Sequence, residues 1–126
     1  MLSVTDLQLD VLRVLWRRGE ALVADVHADL ADERELAPTT VATLLTRLEK
    51  RELVSHRSEG RRHLYKALVS EAEVRREILD TVTDDVFEGD VSALVCQLLD
   101  VRGIAPGDVE KVRALIDAMD PDQGEL

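Results

Sequence analysis

Thr39, Thr40, Thr43, Thr46 and Arg47 fall on one side of the stretch that begins at Pro38, with Lys50 and Arg51 close behind. At helical spacing, Val41, Leu44, Leu45 and Leu48 take the opposite, apolar side. Threonine is a weak interior helix residue because its β-branch restricts χ1, so stability alone does not account for four of them. Their hydroxyls and methyls suit phosphates, base edges and thymine methyl groups, and a guanidinium can bind guanine through two hydrogen bonds. The plain alternative is a solvated polar face with no partner. A second group, Glu59-Gly60-Arg61-Arg62, sets two arginines beside a glycine that permits a turn with positive φ, from which Arg61 or Arg62 can reach a phosphate or the minor groove. Catalytic chemistry finds no comparable set. His27, His56 and His63 lie in separate elements without HExxH or HxxxH spacing and read as surface or hydrogen-bonding residues. There is no GxSxG, P-loop or GxGxxG motif. One cysteine, Cys96, excludes a disulfide framework, a CxxC pair and a four-thiolate zinc site, and its apolar surroundings predict a small buried hydrophobe. Neither an enzyme nor a cofactor or metal site is expected.

The elements that must carry these residues follow from periodicity and punctuation. Leu7 to Trp16 predicts a first helix, capped by Thr5 or Ser3 and stopped at Gly19. Leu22, Val23, Val26 and Leu30 predict a short second helix. Pro38 suits the first turn of a third, which runs to about Glu52. The period then changes: Leu53–Ser58 and Arg62–Leu68 flank Glu59-Gly60-Arg61 and read as a β-hairpin, although alternation in the first arm is imperfect. Ser70 and Glu73 have the spacing of a capping box and open a fourth helix that ends near Gly89. Asp90 caps a fifth, Pro106 opens a sixth, and Pro121–Leu126 is expected to be a flexible tail.

Charge is unevenly spread. The 126 residues carry a formal net charge of −10, yet residues 37–68 hold seven basic side chains against three acidic ones. Residues 69–126 hold five basic and 15 acidic. A duplex senses the patch within roughly 8–10 Å rather than the total, so a basic middle within an acidic chain outweighs the overall sign. No apolar run approaches the roughly 20 residues of a membrane span, and Asp6, Asp10 and Arg13 break any leader-like stretch. A cytoplasmic protein without membrane insertion is expected.

The last three helices carry wide apolar stripes: Val74, Ile78 and Val82 on the fourth, Val91, Leu94, Val95, Leu98 and Leu99 on the fifth, Val112, Leu115 and Ile116 on the sixth. An extended helical arm cannot bury such faces alone, which points to a symmetric second copy; the alternative is a self-contained three-helix cap. The expected fold class is therefore mainly α with a small β-hairpin wing. It comprises a winged helix-turn-helix at 1–69, a helical dimerisation domain at 70–120 and a tail at 121–126.

Three segments in combination, Leu7–Trp16, Pro38–Leu48 and Gly60–Tyr65, resemble the penicillinase repressors (BlaI/MecI/CopY type), a likeness that covers about residues 3–100. The resemblance implies a homodimeric winged-helix repressor of a palindromic operator, with Thr39, Thr40, Thr43 and Arg47 at the DNA and Arg61 serving the wing. In several members, a membrane sensor protease responding to β-lactams leads to cleavage at an Asn-Phe bond in the dimerisation domain. The corresponding pair here is Gln97-Leu98, a departure that leaves the inducing signal open. Copper-responsive relatives carry paired C-terminal cysteines, and this chain has Cys96 alone. Two other readings stand beside the repressor: a winged-helix adaptor that binds protein rather than DNA, favoured by the net charge, and a small-molecule-binding regulator.

Overall fold

The computed structural model describes residues 4–119 apart from 104 and 106. Ser3 as a cap, Pro106 as a helix opener and the tail after 120 lie outside the described residues. The elements are α1 (Asp6–Arg18), α2 (Val23–Leu30), α3 (Pro38–Lys50), β1 (Val54–Glu59), β2 (Arg62–Ala67), α4 (Glu71–Phe87), α5 (Val91–Arg102) and α6 (Asp108–Met119). The chain divides into two compact units, Met1–Val82 and Thr83–Leu126.

Local chemistry sets the boundaries. Thr5 and Gln8 close a reciprocal cap on α1: each side chain accepts the other's backbone N–H at 3.1 Å. Gly19, at φ 82°, ends the helix by donating to the Leu15 carbonyl. Pro38 occupies the first turn of α3. That helix stops at Lys50, two residues before the expected end, because Glu52 turns left-handed at φ 62°. The Leu53 N–H then reaches back to the Leu48 carbonyl at 3.0 Å, a Schellman-type closure that launches β1. Ser70 Oγ accepts from Glu73 N at 3.1 Å at the start of α4, and Asp90 Oδ1 accepts from Ala93 N at 3.0 Å at the start of α5.

In the first unit, α1, α2 and α3 pack around Val11, Leu12, Leu15, Val26, Leu45 and Leu48, all at most 1% exposed. The antiparallel hairpin pairs Val54 with Ala67 through to Glu59 with Arg62, leaving a two-residue loop whose first member, Gly60, takes φ 65°. Only its root is buried, at Leu53, Val54 and Tyr65. Beyond Val54, β1 has no buried residue, which is why its sequence does not alternate cleanly. Tyr65 also exchanges both backbone hydrogen bonds with Ala21, at 2.8 and 2.9 Å, so the loop between α1 and α2 adds a one-residue third strand. The Trp16 indole N–H donates to the Val69 carbonyl at 2.9 Å and ties α1 to the segment leaving the wing. Trp16→Phe leaves that carbonyl unpaired and should lower unfolding free energy by about 1–2 kcal/mol, read from urea denaturation.

The start of α4 belongs to this first core. Val74, expected at a dimer contact, is 0% exposed and joins the buried cluster, with Ile78 packed against it. Val74 and Ile78 of its apolar stripe are thus covered within the chain, while Val82 is not part of that cluster. The first compact unit accordingly extends through Val82, into α4.

The second unit contrasts with the first. Among its described residues no hydrophobic side chain is buried: Leu98 is 49% exposed, Leu115 62% and Ile116 59%. Cys96 is exposed as well, contrary to the expectation of a buried one, because α5 has no core of its own to bury it in. An apolar groove of about 530 Å³ runs between α5 and α6, lined by Val95, Leu98, Leu99, Val109, Val112 and Ile116 with Asp108 and Arg113 at its margin. Among the described residues, no helix is long and apolar enough to cross a membrane, and no cluster of histidine, cysteine and carboxylate side chains could hold a metal ion.

Candidate nucleic-acid interface

The outer face of α3 carries Thr39, Thr40, Thr43, Thr46, Arg47 and Lys50, all exposed, above the buried Val41, Leu44, Leu45 and Leu48. Thr39, Thr40, Thr43, Leu44 and Arg47 line a shallow concavity of about 280 Å³. Thr43 Oγ1 donates to the Thr39 carbonyl, and Thr46 Oγ1 to the Ala42 carbonyl, both at 2.9 Å. These back-bonds occupy the hydroxyl protons, so both side chains present methyl groups and oxygen lone pairs outward.

The arginines sort by partner. Arg18 grips Asp29 through two bonds of 2.7 and 2.8 Å, and Arg34 meets Asp10 at 2.7 Å. Arg57 binds Glu20 at 2.7 and 3.1 Å and touches Glu59. These contacts hold the Glu20 and Asp29 carboxyls below their ordinary range, the side-chain hydrogen bond being the main cause in each. Arg51 donates to the Gln8 side chain at 3.2 Å. Arg62 leans on Glu59 at 3.5 Å, a long contact. Arg47 and Lys50 on α3 and Arg61 at the wing tip, by contrast, make no ion pair among the described residues and are exposed. Arg18, Arg34 and Arg57 are thus neutralised locally while Arg47, Lys50 and Arg61 keep their charge, as do Arg17 and Lys66 among the described residues of this unit.

Two features of this region escaped sequence reasoning. One is the Ala21–Tyr65 pairing at the wing root. The other joins α3 to the wing directly: His56 Nδ1 and Glu49 Oε2 lie 2.6 Å apart. Burial, with a smaller contribution from the Glu49 charge, raises the Tyr65 phenol above its usual pKa. The three histidines act as ordinary hydrogen-bonding residues, His27 meeting the Leu36 carbonyl at 2.7 Å and His63 approaching Ser58 at 3.4 Å.

Comparison with known proteins decides the family. Residues 4–118, almost the whole chain, match the family described as penicillinase repressor. The chain belongs to the penicillinase repressor family. Its curated relatives include the methicillin resistance regulatory protein MecI of Mammaliicoccus sciuri, 19% identical over 114 residues, which span 90% of this chain and 93% of that protein. Among solved structures, the DNA-binding domain of the repressor BlaI is 28% identical with a TM-score of 0.51, covering 56% of this chain and 87% of that one. The Bacillus licheniformis BlaI monomeric form in complex with the blaP half-operator is 28% identical with a TM-score of 0.50, covering 57% of this chain and 88% of that one. The winged-helix fold class expected from the sequence is the one observed, and the chain is a transcriptional repressor by family.

Proposed function

We propose that this family member is a homodimer that binds a palindromic DNA operator, with α3 in the major groove and the wing along the backbone or minor groove. The observation that carries the reading is the distribution of charge: among the described residues, Arg47 and Lys50 beside the α3 threonines and Arg61 at the wing tip have no ion pair, while Arg18, Arg34 and Arg57 are bound by carboxylates. Thr39, Thr40, Thr43 and Arg47 read bases, Thr46 and Lys50 flank them, and Arg61 with Arg62 serves phosphates. The B. licheniformis relative solved with a half-operator supports the assignment.

Val91, Leu94, Val95, Leu98, Leu99, Val112, Leu115 and Ile116 form the dimer contact in this reading, since the second unit has no other means of removing them from water. Two copies place two recognition helices on two half-sites. Names given to relatives, methicillin resistance regulator and penicillinase repressor, support control of β-lactam resistance genes. Release follows a signal that includes proteolysis linked to a membrane sensor protease only if α5 first opens locally, because Gln97-Leu98 lies mid-helix and a protease cleft needs extended chain.

Fluorescence anisotropy with a duplex taken from upstream of this chain's own coding sequence tests the proposal. Saturable binding that survives excess mixed-sequence DNA is expected. Absence of binding at low salt favours the protein-binding adaptor instead. Affinity should also fall steeply with salt, log K losing about 0.9 per log unit of salt for each phosphate neutralised. A flat response would remove Lys50, Arg61 and Arg62 from the contact.

A further inference from the structure

Glu49 is anomalous on charge grounds. It stands between Leu48 and Lys50, two residues after Arg47, in the most basic segment of the chain, where a carboxylate repels a phosphate backbone. Geometry gives it a different task. Its Oε2 lies 2.6 Å from His56 Nδ1 on β1, both side chains being one-third exposed. The His56 ring sits edge-on to His63 at 4.6 Å and tilted against Tyr65 at 5.3 Å, and Tyr65 is buried and bonded to Ala21. Adjacent residues of a strand point to opposite faces. His56 therefore braces one side of the wing against α3, while Arg57 braces the other against Glu20.

A two-stranded hairpin is marginally stable alone, and beyond Val54 strand β1 buries nothing. The buried root and the Ala21–Tyr65 pair tie the hairpin to the core, and beyond that root its angle to α3 depends on contacts of this kind. We propose that Glu49 and His56 form a clasp that fixes the wing relative to the recognition helix, positioning Arg61 on the phosphate backbone while Arg47 sits in the groove. The clasp rests on the operator-binding reading above. Both are positioning residues, acting through Arg61 rather than on the DNA.

The sign of one substitution separates this role from simple electrostatics. Glu49→Gln removes a negative charge beside the duplex, so charge alone would tighten binding. The clasp requires the reverse, a loss of about threefold to tenfold, because the neutral amide oxygen left by Gln is a weaker acceptor for the imidazole N–H than the carboxylate. The experiment measures affinity and salt slope for the upstream duplex with the full chain. Glu49→Gln, His56→Gln and Arg61→Ala should each weaken binding and lower the slope by about 0.9, the share of one phosphate. Combining Glu49→Gln with either of the other two should cost no more than the worse single change. Thermal midpoints near that of the wild type confirm that the fold is intact. Tighter binding by Glu49→Gln, or losses that add when it is combined with Arg61→Ala, overturns the clasp. Arg47→Ala serves as the reference: if it weakens binding while Glu49→Gln does not, the clasp alone fails, and if neither changes binding, the operator reading fails with it.

Discussion

Replacing Leu98 and Ile116 together with glutamate should convert the protein to a monomer and weaken operator binding by roughly 10²-fold. The two side chains lie on α5 and α6 along the same apolar groove and are about half exposed in the isolated chain. Burying a leucine or isoleucine on association is worth about 1.5–3 kcal/mol, and burying an unpaired carboxylate in its place costs more than it returns. Monomerisation then separates two weak half-site contacts that had shared one binding event, and the lost effective concentration sets the drop in affinity. The winged unit should be spared, because its core of Val11, Leu12, Leu45 and Leu48 contains neither residue. Sedimentation equilibrium should give the 14.1 kDa protomer mass for the variant and twice the protomer for the parent. A variant that still sediments as a dimer places the contact on another surface.

Arg47→Ala should weaken operator binding by ~1–3 kcal/mol, the range for a lost bidentate base contact. Arg47 lines the α3 concavity with Thr39, Thr40 and Thr43 and pairs with no carboxylate among the described residues, so its removal should not disturb the fold. The loss should depend on sequence: base substitutions in the half-site that weaken the parent should matter less to the variant at the position Arg47 reads. Uniform weakening across all sites would reassign Arg47 to a phosphate. A titration of single-base variants of the bound duplex distinguishes the two.

Much of this architecture was written locally. Thr5, Pro38, Ser70 and Asp90 announce helix starts through chemistry that acts within three residues, and Gly19 and Gly60 mark turns because positive φ favours glycine. The α3 face was equally legible, since a 3.6-residue period separates its threonines from Val41, Leu44 and Leu48. Contacts between distant residues left no such trace. Ala21 and Tyr65 pair across 44 positions through backbone atoms, which any residue type supplies. Glu49 and His56 belong to a helix and a strand whose periods cannot be compared. The stripe through Val74 and Ile78 correctly announced a buried face, but an apolar pattern does not state what covers it, and the winged core proved to be the cover. Cys96 erred the other way, because an apolar neighbourhood in sequence became an exposed one on a unit without a core.

The local neutralisation of Arg18, Arg34 and Arg57 has a consequence for how the repressor searches a chromosome. If the threonine face is the operator contact proposed above, ten surplus negative charges overall should make most other approaches to DNA repulsive. Such a molecule spends little time parked on irrelevant sequence. On that reading fewer copies should suffice to keep an operator occupied, because the genome itself competes poorly for a chain of net negative charge.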